Sequence, residues 1–172
     1  MKTQVWAHRG ASAYAPENTL EAFRLAAEMG ADGVELDVQL SRDGELVVAH
    51  DETIDRVSSG TGYIKDYTLA QLKKLSFNRL FPKFKDARIP TLKEVYELLK
   101  PAGLTVNVEL KTGIILYPEI EEKVLALTAS MGMEDRVIYS SFCHPSLVRL
   151  KELDSGLKTG LLYSDGWIGA AD

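Results

Sequence analysis

Short strand-like runs alternate with amphipathic helical stretches along this chain, and that alternation constrains its fold more than any other feature. Segments 5–7, 33–40, 45–50, 104–111, 136–141 and 158–163 read as strands. Segments 19–29, 91–99, 118–131 and a stretch beginning at Pro145 read as helices. In the first helix Leu20, Phe23, Leu25, Ala26 and Ala27 form one broad apolar face, with Pro16, Glu17 and Asn18 at its start and Gly30 at its stop. Strands separated by helices argue for a largely parallel α/β sheet or barrel. One gap departs from the pattern. Only Ser41-Arg42-Asp43-Gly44 separates the second strand from the third, too short for a crossover helix. A hairpin centred on this turn pairs Glu35 with His50 and Asp37 with Val48. Paired residues share a face, so the carboxylates and the histidine converge. Residues 52–90 read as an excursion over one end of the domain, with a short helix near 69–75.

Buried parallel strands are normally continuous apolar runs, yet three strands here carry charge at or near their carboxyl ends. The first ends in His8-Arg9, the second holds Glu35 and Asp37, and the fourth holds Asn107, Glu109 and Lys111. Side chains at i and i+2 lie on one face, which makes Glu35 a neighbour of Asp37 and Glu109 a neighbour of Lys111. Taken singly, these are a solvated pair on an edge strand and an intrastrand ion pair. Taken together, they place three carboxylates at the barrel mouth where α/β barrels build their sites. Buried carboxylates repel one another and are costly without a partner. An all-oxygen donor set suits one hard divalent cation, Mg²⁺ or Ca²⁺, better than zinc. His8 and His50 at the same level suit a reaction in which one group takes a proton and another gives one. Arg9 can hold a phosphate in a bidentate fashion or pair with a carboxylate.

Other residues read as structural. Cys143-His144-Pro145 looks like the start of a helix with Pro in its first turn, and nothing around Cys143 suggests a nucleophile. Ser58-Ser59-Gly60-Thr61-Gly62 lacks phosphate-loop spacing and reads as a turn. There is no nucleophile elbow, dinucleotide fingerprint or Walker loop. The 20 basic residues against 25 acidic ones argue against a nucleic-acid partner. No apolar run is long enough for a membrane span. Met1 leads almost directly into the first strand without a leader pattern, so the expected location is cytoplasmic. One tension concerns size: the 172 residues form a single domain, while a complete eight-fold α/β barrel takes about 250.

The stretches AHRGASAYAPENTLEAF (7–23), GADGVELDVQLSRDGELVVAHDETIDRVSSGTG (30–62), IPTLKEV (89–95), NVELK (107–111) and SSF (140–142) resemble the glycerophosphodiester phosphodiesterase family. The resemblance runs to about residue 163 and rests chiefly on HRG and PENT followed by ELD and HD. It implies a metal-dependent (β/α)8 TIM barrel, with about six βα units in this chain and residues 52–90 as the family's insertion after strand three. It implies hydrolysis of glycerophosphodiesters to sn-glycerol 3-phosphate and an alcohol. Residue by residue, Glu35, Asp37 and Glu109 would bind the metal, His8 and His50 would be the acid–base pair, and Arg9 and Lys111 would contact the phosphate. Lysophospholipids and a non-catalytic binding barrel are the alternative readings. The family's barrel has two further βα units, whose last strand carries a Trp. Trp167 is not in the context to replace it, so the chain looks C-terminally incomplete, either as a fragment or with a barrel that closes another way, for example with a partner chain.

Overall fold

The computed structural model describes residues 3–164. Strand β1 (Trp6–His8) leads to helix α1 (Leu20–Glu28), then β2 (Gly33–Leu40), β3 (Leu46–Val48), a one-turn helix α2 (Leu69–Leu72) and α3 (Leu92–Ala102). β4 (Thr105–Leu110), α4 (Ile120–Ser130), β5 (Val137–Ser141), α5 (His144–Leu153) and β6 (Thr159–Leu161) complete the order. The strands form one sheet in the order β1-β2-β4-β5-β6, all parallel, with β3 antiparallel on β2. Helices cover one face, and the architecture is that of a partial α/β barrel. Trp167 lies outside the described residues.

Local chemistry accounts for the helix bounds. Thr19 caps α1 by accepting from the Ala22 N–H. Thr91 and Glu94 form a reciprocal capping box on α3, which ends at a left-handed Gly103. Cys143 stands at the N-cap of α5, with Pro145 in the first turn, as the sequence pattern implied.

β2 shows how the two faces divide. Val34, Leu36, Val38 and Leu40 join Phe23 and Ala26 of α1, Val95 and Leu99 of α3, and Val106 and Val108 of β4 in the main core. The alternate residues Glu35, Asp37 and Gln39 point to the other face, the barrel interior. β1 pairs with only the first part of β2, Gly33–Glu35, and β3 with only the last, Val38–Leu40. The β1 turn therefore enters the sheet beside Asp37.

The hairpin register differs by one residue from the sequence expectation. Val38 pairs with Val48, Gln39 with Val47 and Leu40 with Leu46. The Ser41 N–H bonds the Glu45 carbonyl at 3.0 Å, so the loop is Arg42-Asp43-Gly44, and Gly44 takes φ +79°. A three-residue loop ending in a left-handed glycine is a common hairpin closure, and it adds one residue to the turn. A shift of one exchanges the faces of the whole strand. Asp37 therefore meets Ala49, whose N–H bonds its carbonyl at 3.0 Å, and strand pairing does not bring Glu35 opposite His50. Val47 and Ala49 instead face a second apolar cluster with Ile54, Ile64, Leu72, Phe77 and Ile89. Residues 52–90 thus carry a small core of their own, packed on the hairpin. Among the described residues no helix is long and apolar enough to cross a membrane.

Candidate active site

The turn after β1 reverses sharply so that the Arg9 N–H can reach β2. Arg9 adopts φ 57° and Gly10 φ 77°. The Arg9 N–H donates both to the Glu35 carbonyl at 3.0 Å and to Glu35 Oε2 at 3.1 Å. A Cβ on Gly10 would lie 2.7 Å from the Ala22 backbone, so α1 can approach only a glycine here. Asn18 is also left-handed, at φ 56°. Its N–H bonds the Arg9 carbonyl at 3.0 Å, and its side-chain Nδ2 donates to Asp37 Oδ2 at 2.8 Å. Left-handed backbone costs a non-glycine residue about 1–2 kcal/mol. The loop bears that cost at two positions that both face Asp37.

Glu35, Asp37 and Glu109 offer oxygens that all lie within 4.8 Å of one another. β2 and β4 run parallel with Asp37 beside Glu109 and Glu35 beside Asn107, which puts the three acids on one interior face. Asp37 is fully buried and Glu109 nearly so. Lys111 Nζ lies 2.9 Å from Glu109 Oε1 and 3.8 Å from Asp37 Oδ1. Arg9 Nε lies 3.5 Å from Asp37 Oδ2. His8 Nε2 stands 3.7 Å from Glu35 Oε2, on a side chain that is 68% exposed. Burial, with the Asp37 charge second, pushes the Glu35 carboxyl up to about 8. Glu35 Oε1 and Asp37 Oδ1 are buried without a hydrogen-bond partner among the described residues. Buried carboxylate oxygens without a hydrogen bond on adjacent acids fit a hard divalent cation.

A second set of charges extends from Arg9 to the rim. Arg9 Nη1 donates to Glu17 Oε1 at 3.1 Å. Arg56 donates through Nη2 and Nη1 to the two Glu17 oxygens at 2.7 and 2.8 Å, and through Nε to Asp51 Oδ2 at 2.7 Å. Asp51 Oδ1 lies 2.6 Å from His50 Nδ1. Burial tends to raise both Glu17 and Asp51, but the hydrogen bonds and charge of Arg56, joined by Arg9 at Glu17 and by His50 at Asp51, together outweigh it and hold both carboxyls below their ordinary values. Arg56 is in turn held strongly protonated by Glu17 and Asp51.

The geometry thus gathers Glu35, Asp37, Glu109, Arg9, Lys111 and His8, and links His50 to them through Asp51, Arg56 and Glu17. Arg9 and Lys111 both pair with carboxylates here. His144 contributes its Nε2 to the Leu162 carbonyl at 3.0 Å, a contact between α5 and the end of β6. Sequence reasoning missed Glu17, Asn18, Asp51, Arg56 and Gln39 as site residues. Gln39 carried a signal, since it lies at i+4 from Glu35 on the same strand face. Glu17 and Asn18 read only as a helix start.

Fold and site together define a barrel-type α/β protein with an acidic cluster on the interior face of adjacent parallel strands, in the middle of β2 and level with the carboxyl ends of β1 and β4. The model of the glycerophosphoryl diester phosphodiesterase family matches residues 8–170, and the chain belongs to that family. A glycerophosphodiester phosphodiesterase of Caldanaerobacter subterraneus subsp. tengcongensis is 53% identical over 169 residues, spanning 98% of this chain and 70% of that protein. The crystal structure of a glycerophosphodiester phosphodiesterase from Agrobacterium tumefaciens superposes with a TM-score of 0.84 at 36% identity, covering 92% of this chain and 66% of that one. An Oleispira antarctica phosphodiesterase, solved in complex with the product sn-glycerol-3-phosphate, superposes at 0.82 with 35% identity, covering 94% and 66%. The chain therefore spans just under two thirds of the length of these solved structures.

Proposed function

We propose that this chain carries the metal-dependent phosphodiesterase chemistry of its family, hydrolysing glycerophosphodiesters to sn-glycerol 3-phosphate and an alcohol. The observation that supports this reading best is the cluster of Glu35, Asp37 and Glu109, in which two buried oxygens have no hydrogen bond among the described residues. The product bound to the Oleispira antarctica relative supports the substrate class.

In this reading Glu35, Asp37 and Glu109 hold one divalent cation, Mg²⁺ or Ca²⁺. When bound, such an ion supplies Lewis-acid stabilisation of charge on the phosphoryl oxygens. Lys111 spends one hydrogen bond on Glu109 and has three N–H donors, so it can also meet a phosphate oxygen. Arg9 adds a second fixed positive charge. His8 stands on the exposed side of Glu35 and is assigned as the base for the attacking oxygen. His50 is assigned as the acid for the leaving alkoxide, and Asp51 on Nδ1 leaves Nε2 as the nitrogen available for transfer. The domain reading, one unit over 1–172 with 52–90 inserted, and the cytoplasmic location belong to this proposal.

Release of sn-glycerol 3-phosphate from glycerophosphocholine or glycerophosphoethanolamine, supported by Mg²⁺ or Ca²⁺ and stopped by EDTA, is the expected result. Absence of turnover across a panel of glycerophosphodiesters by metal-loaded protein would overturn the reading. Turnover confined to long-chain lysolipids in that panel would move the substrate class instead.

A further inference from the structure

Gln39 is fully buried on the interior face of β2, yet it belongs to neither the acidic cluster nor the apolar core. Its Nε2 donates towards three consecutive carbonyls of the segment that carries His50. The distances are 2.9 Å to Ala49, 3.2 Å to His50 and 2.7 Å to Asp51. Its Oε1 accepts from the Tyr117 hydroxyl at 2.9 Å. Tyr117 is also buried, on the connection between β4 and α4.

The geometry points to Gln39 and Tyr117 as positioning residues that hold the His50 backbone in the site. The inference deepens the proposed function and rests on the assignment of His50 to proton transfer. β3 ends at Val48, so strand pairing does not hold His50 itself. Three carbonyls pointing the same way need a donor, and a buried carbonyl left without one is costly. A glutamine amide supplies two N–H donors at one end and an acceptor at the other. The two orientations of that amide have nearly the same shape, so shape alone does not select the productive one. The carbonyls select it, since they accept only, and the Tyr117 hydroxyl, donating to Oε1, anchors the amide in that orientation. The flipped amide would set an oxygen against all of them.

The ring and the backbone of His50 are thus held separately. Asp51, bonded by Arg56, fixes the imidazole through Nδ1, while Gln39 fixes the peptide that carries it. Tyr117 stands seven residues after Leu110, the last residue of β4, so the strut also ties the connection following the Glu109 strand to the segment following β3.

Two variants test the assignment, both in the full chain. Gln39→Glu keeps shape but replaces the donors with acceptors, and Tyr117→Phe removes only the hydroxyl. Each is read by the imidazole resonances of the protein, which has three histidines, with His50 assigned by comparison with His50→Ala. Each is also read by steady-state turnover of glycerophosphocholine. The expected result is a displaced His50 resonance in both variants, with those of His8 and His144 in place. Turnover is expected to show kcat lowered about tenfold or more in Gln39→Glu and less in Tyr117→Phe, with KM little changed. A His50 resonance unmoved in folded Tyr117→Phe, or a loss confined to KM, overturns the positioning role. Should Gln39→Glu fail to fold, Tyr117→Phe decides alone. The resonance does not depend on turnover. A wild-type protein without activity whose His50 still shifts would therefore reject the proposed function and leave the strut standing.

Discussion

Two groups of carboxylates lie within a few side chains of each other and are treated in opposite ways. On the floor of the site, Glu35, Asp37 and Glu109 crowd together, and burial drives the Glu35 carboxyl up to about 8. On the rim, Glu17 and Asp51 share Arg56 and titrate below their ordinary values. Burial opposes ionisation at Glu35, Glu17 and Asp51 alike. The difference is a guanidinium that hydrogen-bonds both carboxylates on the rim. On the floor three acids crowd together, and two of their oxygens have no hydrogen bond among the described residues. A charged cluster that is already paired holds shape, whereas one left short of positive charge is prepared to take up a cation.

Removing a floor oxygen should have the largest consequence. Asp37→Ala is expected to abolish the rise in melting temperature that a divalent ion gives the wild type, and turnover with it; an undiminished ion-dependent shift would exclude Asp37 from the donor set. His8→Ala, by contrast, should slow turnover by about 10² or more while calorimetry shows the ion still binding. Equal rates in wild type and variant would remove His8 from the chemistry.

Stability offers a third comparison. Gly10→Ala should destabilise the fold by about 2 kcal/mol or more, combining left-handed backbone strain with the contact against α1. Denaturant melts measure this directly, and a change below about 0.5 kcal/mol would contradict the close approach of α1.

The two groups should also oppose each other as pH changes. Glu35 has a folded value near 8, raised from an ordinary 4.5. Its ionisation therefore costs stability progressively as pH rises from 4.5 to 8 in protein stripped of metal. Glu17 and Asp51 are lowered from 4.5 and 3.8. Their contribution is present above those ordinary values and is lost as pH falls through the lowered ones. Melting temperature against pH with EDTA should therefore fall on both sides of a mildly acidic optimum, and added Mg²⁺ or Ca²⁺ should flatten the alkaline limb. An alkaline limb that ignores the ion would dissociate Glu35 from it. Arg56→Met should have the smallest effect, a shallower acid limb, because Glu17 and Asp51 lose the partner that holds them below their ordinary values. An acid limb as steep as that of the wild type would contradict the role of Arg56.

Much of the site was legible because strands expose their chemistry by parity. Glu35 and Asp37, like Glu109 and Lys111, share a face whatever the rest of the fold does. The acidic cluster could thus be assembled from spacing, together with the parallel order implied by alternating elements. The hairpin was legible as a hairpin, but its register was not. A four-residue gap admits more than one closure, and the left-handed Gly44 selects the one that separates Glu35 from His50. Arg56 was invisible as the partner of Glu17 because their contact spans 39 residues of chain. Tyr117 and Gln39 lie 78 residues apart.

The sequence by itself determined the class of fold, the order of elements, the interior acids and the family, since these depend on local periodicity and on short motifs. Tertiary structure decided which charges are neutralised and which are left wanting, and what holds His50 in place. Those outcomes depend on burial and on long-range pairing, and a carboxylate's chemistry follows its surroundings more closely than its position in the chain.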